Sequence, residues 1–174
     1  MRCGTRRGAL PDGHSLRERF PERWVRFHSL PSGKRYATTT AEAVEVRRRH
    51  LDVLAELRTS GSPLVVIAQD YAPGDGFARW VARALPAAEL WRAVPSTDRE
   101  PESTYWIGTH FDLETLLEAV AGGDTGSVII ADETLEWLYH PYDGGADVIT
   151  ATTAERDDLA TRHVEWRSSR TDGL

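Results

Sequence analysis

Cysteine occurs once in the chain, as Cys3 near the N-terminus. A single cysteine excludes an intramolecular disulfide and suits a reducing compartment. Nowhere do Cys, His and carboxylate residues cluster at zinc spacing, so no metal site is predicted, and no motif calls for a cofactor. Long apolar runs are missing too. The longest is Leu64-Val65-Val66-Ile67-Ala68, far short of the roughly 18 residues that read as a membrane span. Arg2, Arg6 and Arg7 lead into no apolar segment, so a secretory signal is not predicted. The expectation is a cytoplasmic protein without membrane contact. Lysine is scarce as well. Lys34 is the only one, and every other basic side chain is arginine, which reads as compositional bias rather than phosphate recognition.

What is present is ordinary for a globular protein: 40% apolar and 28% charged residues in a chain of 174, enough for one domain with its own core. The charge is unevenly placed. Residues 1–35 hold nine basic and three acidic side chains, a net +6, so the remainder carries −12 against a total of −6. An acidic body disfavours nucleic acid, leaving the N-terminal segment as the one route to such a partner. Its first 19 positions hold no aromatic residue to stack a base. The organisation predicted is a flexible basic arm over 1–22, a single globular domain over 23–168 and a short tail over 169–174.

The fold class predicted is α+β: one mixed sheet with packed helices, ending in an antiparallel meander and a terminal helix. Residues 24–30 alternate, with Val25 and Phe27 on one face and Arg26 and His28 on the other, which predicts a half-buried strand. Thr39-Thr40-Ala41-Glu42 fits a capping box that opens a helix to about Leu57, with Val46, His50, Val53, Leu54 and Leu57 as its buried stripe. The run at 64–68 suits a strand covered on both faces. Asp75 is a plausible cap for a short helix carrying Phe77, Trp80 and Val81. Further strands are predicted over 89–94 and 104–108. Asp112 caps a helix stopped by Gly122-Gly123. Three strands follow over 127–131, 135–140 and 146–150, and Thr152-Thr153-Ala154-Glu155 opens the last helix.

Two segments could carry chemistry. His140-Pro141-Tyr142-Asp143-Gly144-Gly145-Ala146-Asp147 gathers an imidazole, a phenol and two carboxylates at a glycine turn between strands. It reads either as a ligand site with Asp143 as base and His140 assisting, or as plain hairpin chemistry in which Asp143 caps the turn amides. His28-Ser29-Leu30-Pro31-Ser32-Gly33-Lys34-Arg35-Tyr36 joins a strand to a helix. It lacks the first glycine and the Ser or Thr of a nucleotide-binding loop, so that motif is absent. Lys34 and Arg35 are left to hold an anion near the helix start or to pair with surface carboxylates. Asp70 follows the 64–68 strand, where open parallel sheets tend to place ligands. His50 and His163, on apolar helix faces, read as satisfied core histidines. No Gly-x-Ser-x-Gly elbow occurs, and Cys3 has no base nearby in the chain.

The segments Arg26-Phe27-His28-Ser29-Leu30-Pro31 with Lys34-Arg35-Tyr36, and Leu138-Tyr139-His140-Pro141-Tyr142-Asp143-Gly144-Gly145-Ala146-Asp147-Val148-Ile149, resemble a group of small uncharacterised bacterial proteins built on a domain of unknown function. The resemblance implies a strand, a Tyr-Asp turn, a second strand and a closing helix. It brings no activity, so no catalytic role is carried over. Some proteins of this general sort are encoded beside bacterial toxins as immunity proteins. The function expected is therefore a non-enzymatic binding or accessory module, such as an immunity-type protein, that masks another protein. The alternative is a small enzyme or ligand-binding protein that joins the two loops.

Overall fold

Alternating apolar residues set the strands, and a computed structural model describes residues 13–58, 62–70, 79–95, 102–125, 127–168 and 170. The elements in chain order are α1 (Gly13–Arg19), β1 (Trp24–His28), a 3-10 turn (Pro31–Gly33), α2 (Thr40–Leu57), β2 (Leu64–Asp70), α3 (Arg79–Ala84), β3 (Glu89–Val94) and β4 (Ser103–Gly108). After these come α4 (Leu113–Ala121), β5 (Val128–Asp132), β6 (Leu138–Tyr142), β7 (Gly145–Ile149), α5 (Thr153–Arg162) and a second 3-10 turn (Val164–Trp166). Asp75, Phe77 and Cys3 lie outside the described residues. Gly13–Arg19 falls within the segment expected to be a loose arm, and it forms α1, which rests against β7.

The seven strands form one sheet in the order β1-β7-β6-β5-β2-β4-β3. The α+β class is as predicted, with the C-terminal meander and terminal helix in place. The expected mixed sheet is corrected in detail: every pairing among the described residues is antiparallel. The reason is the insertion of strands between helix-linked partners. Both β4 and β5 run antiparallel to β2, so they run the same way as each other, as strands joined by a helical crossover do. Here β2 lies between them and takes the hydrogen bonds. The alternation of helix and strand in the sequence is real, but it produces no parallel pair.

One face of the sheet carries Val25, Phe27, Ala146, Val148, Tyr139, Ile130, Val128, Val66 and Ala68, which form the core with Val53 and Leu54 of α2, Leu116, Leu117 and Val120 of α4, and Leu159 of α5. Thr39 caps α2, its hydroxyl accepting from the Glu42 amide at 3.2 Å. The other half of the predicted box differs: the Glu42 carboxylate accepts from the Thr38 amide at 2.7 Å rather than from Thr39. At α5 both halves of the box form, between Thr152 and Glu155. Asp112 accepts from the Glu114 and Thr115 amides and caps α4.

The topology gathers several ends on one edge. β1, β2 and β6 finish there at His28, Asp70 and Tyr142, while β5 and β7 begin there at Val128 and Gly145. α2 leaves β1 at this edge, and α4 returns to it before β5. The start of α2 and the end of α4 are therefore neighbours.

Candidate functional site

The loop after β1 is shaped by two consecutive left-handed residues, Ser32 at φ 58° and Gly33 at φ 68°, which reverse the chain beside the His28 ring. The linker beyond it is tied to α2. Lys34 Nζ donates to Glu42 at 2.6 Å and to the Thr38 hydroxyl at 2.8 Å. The hydrogen bond from Lys34, with that from the Thr38 amide, holds the Glu42 carboxyl down at about 2. Opposite this linker is the tight β6–β7 turn. Gly145 is demanded there, because a Cβ would sit 2.1 Å from the Phe27 carbonyl oxygen. The bare glycine lets β1 close onto β7, and the Ser29 amide donates to the Gly144 carbonyl at 3.0 Å.

This closure brings the two candidate loops together. Arg35 Nε pairs with Asp143 at 2.8 Å, and the Tyr36 hydroxyl donates to the same carboxylate at 2.6 Å. Burial pushes the Asp143 carboxyl up, but the bonds from Arg35 and Tyr36 outweigh it and leave the carboxyl below its ordinary range. The hydrogen bond to Asp143 raises Tyr36. The latch closes one end of a cleft of about 540 Å³ between α2 and α4. Arg35, Tyr36 and Asp143 form that end, Val44 and Arg47 one wall, and Leu117, Glu118 and Ala121 the other.

The remaining sequence candidates fall elsewhere. Asp147, His140 and Tyr142 lie on the sheet face opposite α2, α4 and α5. Asp147 pairs across strands with His140 and with Arg26, which grips its carboxylate through two bonds of 2.7 and 2.9 Å. His140 Nε2 is 3.1 Å from the Ser127 hydroxyl. The Arg26 guanidinium stands 5.4 Å over the Tyr142 ring, whose hydroxyl is raised by burial and then by nearby Asp147. His28 is half-buried; burial and then Arg26 and Arg49 lower its imidazole, and its carbonyl accepts from Arg49 at 3.0 Å. Asp70 ends β2 opposite Thr104 and is buried. The parallel-strand argument for it fails, since both neighbours of β2 are antiparallel.

Sequence reasoning missed the cleft walls, Val44, Arg47, Leu117, Glu118 and Ala121. One signal was available: Val44 is apolar yet stands off the buried stripe of α2, and its exposure is 62%. It also left the partners of His50 unidentified. That ring is buried, with Nδ1 2.6 Å from the Tyr139 hydroxyl and Nε2 3.2 Å from Ser29 Oγ. Burial lowers it to about 4, so it is neutral near neutral pH. His163 packs on Trp166 with ring centroids 3.9 Å apart and meets Glu56 at 2.6 Å. Among the described residues, no three His, Cys, Asp or Glu side chains are grouped to hold a metal ion. No helix among them is long and apolar enough to cross a membrane.

The fold and cleft together define a single-sheet α+β protein with an amphipathic groove at one sheet edge. The chain belongs to the family described as a domain of unknown function, DUF3885, which it matches over residues 13–171. No curated protein and no solved structure matches it.

Proposed function

We propose that this protein is a non-enzymatic binding module whose site is the α2–α4 cleft. The observation that carries the reading is the convergence of the two loops: Arg35 and Tyr36 reach across to one carboxylate, Asp143, and so form one end of the groove. Its volume of about 540 Å³ is within the range of small-molecule sites, roughly 300–1,000 Å³. The described lining is mainly apolar with a few polar groups, and its carboxylate Asp143 is already engaged by Arg35 and Tyr36. Two His–Ser pairs lie elsewhere: His50 and Ser29 are buried in the core, and His140 and Ser127 meet at the sheet, away from the cleft lining.

The test is a fragment screen by amide NMR on the full chain. Binders are expected to shift Tyr36, Val44, Leu117 and Ala121, and Ala121→Trp, which fills the groove, should abolish those shifts. Binders that shift only residues away from the cleft would overturn the reading.

A second reading, an accessory protein that masks a protein partner, draws on strand β3. It is an edge strand, and Leu90 and Trp91 on it are about half exposed. An unpaired edge with apolar side chains is a template for another chain. An acidic body would speed association with a basic partner, so the on-rate would fall with salt. Leu90→Lys should then weaken capture of that partner while leaving cleft binders untouched.

A further inference from the structure

The charges in the cleft are unequally engaged, and the imbalance indicates what would occupy it. Asp143 is already held by Arg35 and Tyr36. Arg47 on the α2 wall is neutralised by an ion pair with Glu114. Two groups keep capacity. Arg35 spends its Nε on Asp143, but its side chain is 66% exposed, and no hydrogen bond among the described residues engages its terminal nitrogens. Glu118 lines the opposite wall, and among the described residues no hydrogen bond or ion pair engages its carboxylate. One end of the groove therefore offers donors to an anion, and the wall offers an acceptor to a cation. Between them run Tyr36, Val44, Leu117 and Ala121.

The spacing follows from α4. A Cβ on Gly123 would stand 3.9 Å from Tyr36 Cε1, so the ring next to Arg35 in the linker abuts the turn that ends the helix. Glu118 precedes Gly123 by five positions, about 7 Å along a helix axis. Arg35 and Glu118 thus stand at different points along the groove, so a ligand that reaches both carries its two charges apart with apolar surface between them, as the ends of a short apolar peptide do.

Resting on the cleft as the binding site, we propose that its ligand class is a short apolar peptide with free termini. The carboxylate binds Arg35, the ammonium group binds Glu118, and the apolar side chains lie on Val44, Leu117 and Ala121. Binding is reversible and no bond is made or broken.

The experiment is calorimetric and NMR titration of the full chain with Leu-Leu in four forms: free, N-acetylated, C-amidated and blocked at both ends. Free Leu-Leu should shift the cleft residues, and blocking either end should weaken binding by about tenfold or more, as loss of a charged hydrogen bond does. Glu118→Gln should remove the penalty for N-acetylation and leave that for C-amidation. Arg35→Gln should do the reverse, and Glu118 is exposed, so its variant folds without repacking. If the doubly blocked peptide binds as tightly as the free one at the same residues, the proposed class is overturned while the cleft stands. If no form of the peptide shifts the cleft, the proposal is overturned. If the fragment screen is silent there as well, the cleft reading falls with it.

Discussion

At the scale of single residues, Asp143 has the clearest double duty. It receives Arg35 and Tyr36 from a loop more than a hundred positions away in the chain. The contacts are partly exposed, so their worth is modest, and loss of a hydrogen-bond acceptor costs about 1 kcal/mol net. Asp143→Ala should lower stability by about 1 kcal/mol in chemical denaturation, and it should also free Tyr36, whose raised phenol would return toward its ordinary titration. An unchanged denaturation midpoint together with an unchanged Tyr36 titration would contradict the latch. The carboxylate that sits in the β6–β7 turn is the one that receives the loop after β1. Arg26 and Asp147 illustrate the same point on the sheet. Adjacent strands put them opposite one another, and the guanidinium meets the carboxylate through two bonds.

At the scale of elements, the β6–β7 hairpin is where β1 joins the meander. Gly144 and Gly145 look interchangeable in sequence but differ in surroundings. A Cβ at Gly145 meets the Phe27 carbonyl oxygen at 2.1 Å, and backbone at this point cannot move without separating β1 from β7. At Gly144 the nearest atom is Arg35 Cγ at 3.4 Å, part of a flexible side chain. Gly145→Ala should therefore cost about 3 kcal/mol, at the upper end of overpacking penalties, and Gly144→Ala well under half of that. Thermal or denaturant unfolding of the two variants checks the ordering. Equal losses would mean that the β1–β7 approach is looser than the geometry implies. Helix α5 is held by a different device: its C-terminal turn stacks His163 on Trp166, with Arg48 and Arg49 of α2 within 5.4 and 5.0 Å of the indole. Cation–π contacts of this kind link α5 to α2 across the core.

For the whole molecule, the buried polar network predicts how stability varies with pH. The folded-state value of His50 lies near 4, below its ordinary 6.5, because burial penalises the charged ring. Between those values the unfolded chain binds the proton and the folded one does not. Stability is then full above about 6.5 and falls as the pH drops toward 4, by at most about 1.4 kcal/mol per pH unit from this group. His28, also lowered, adds in the same direction. The carboxylates Glu42 and Glu45 are held at about 2 by Lys34 and Arg48, respectively, so their contribution is lost lower down, from about 4.5 to 2. His50→Gln should be less stable throughout but flatter against pH between about 6.5 and 4.5. A variant with the wild-type slope would show that His50 does not govern this window.

Much of the secondary structure was legible in the sequence because its signals are local. Thr39, Asp112 and Thr152 each cap the helix that their spacing marks, and Val25 and Phe27 alternate with Arg26 and His28 as a half-buried strand must. The two loops that meet at the candidate site were legible as unusual segments, since glycine turns flanked by ionisable groups stand out in one dimension. Strand order was not legible. The sequence contains the crossovers from β1 to β2 and from β4 to β5, but which strands insert between their ends depends on whole-sheet packing. The cleft walls were also illegible, because Val44 and Glu118 are ordinary surface residues until α2 and α4 are laid side by side. Composition and periodicity by themselves determined the class of fold, its caps and its core-facing positions, because these depend on neighbours within a few residues. Tertiary structure alone decided that the strand pairings among the described residues are antiparallel, that Arg35 and Tyr36 reach Asp143, and that two amphipathic helices leave a groove between them. Those outcomes rest on contacts between distant parts of the chain, which no local pattern encodes.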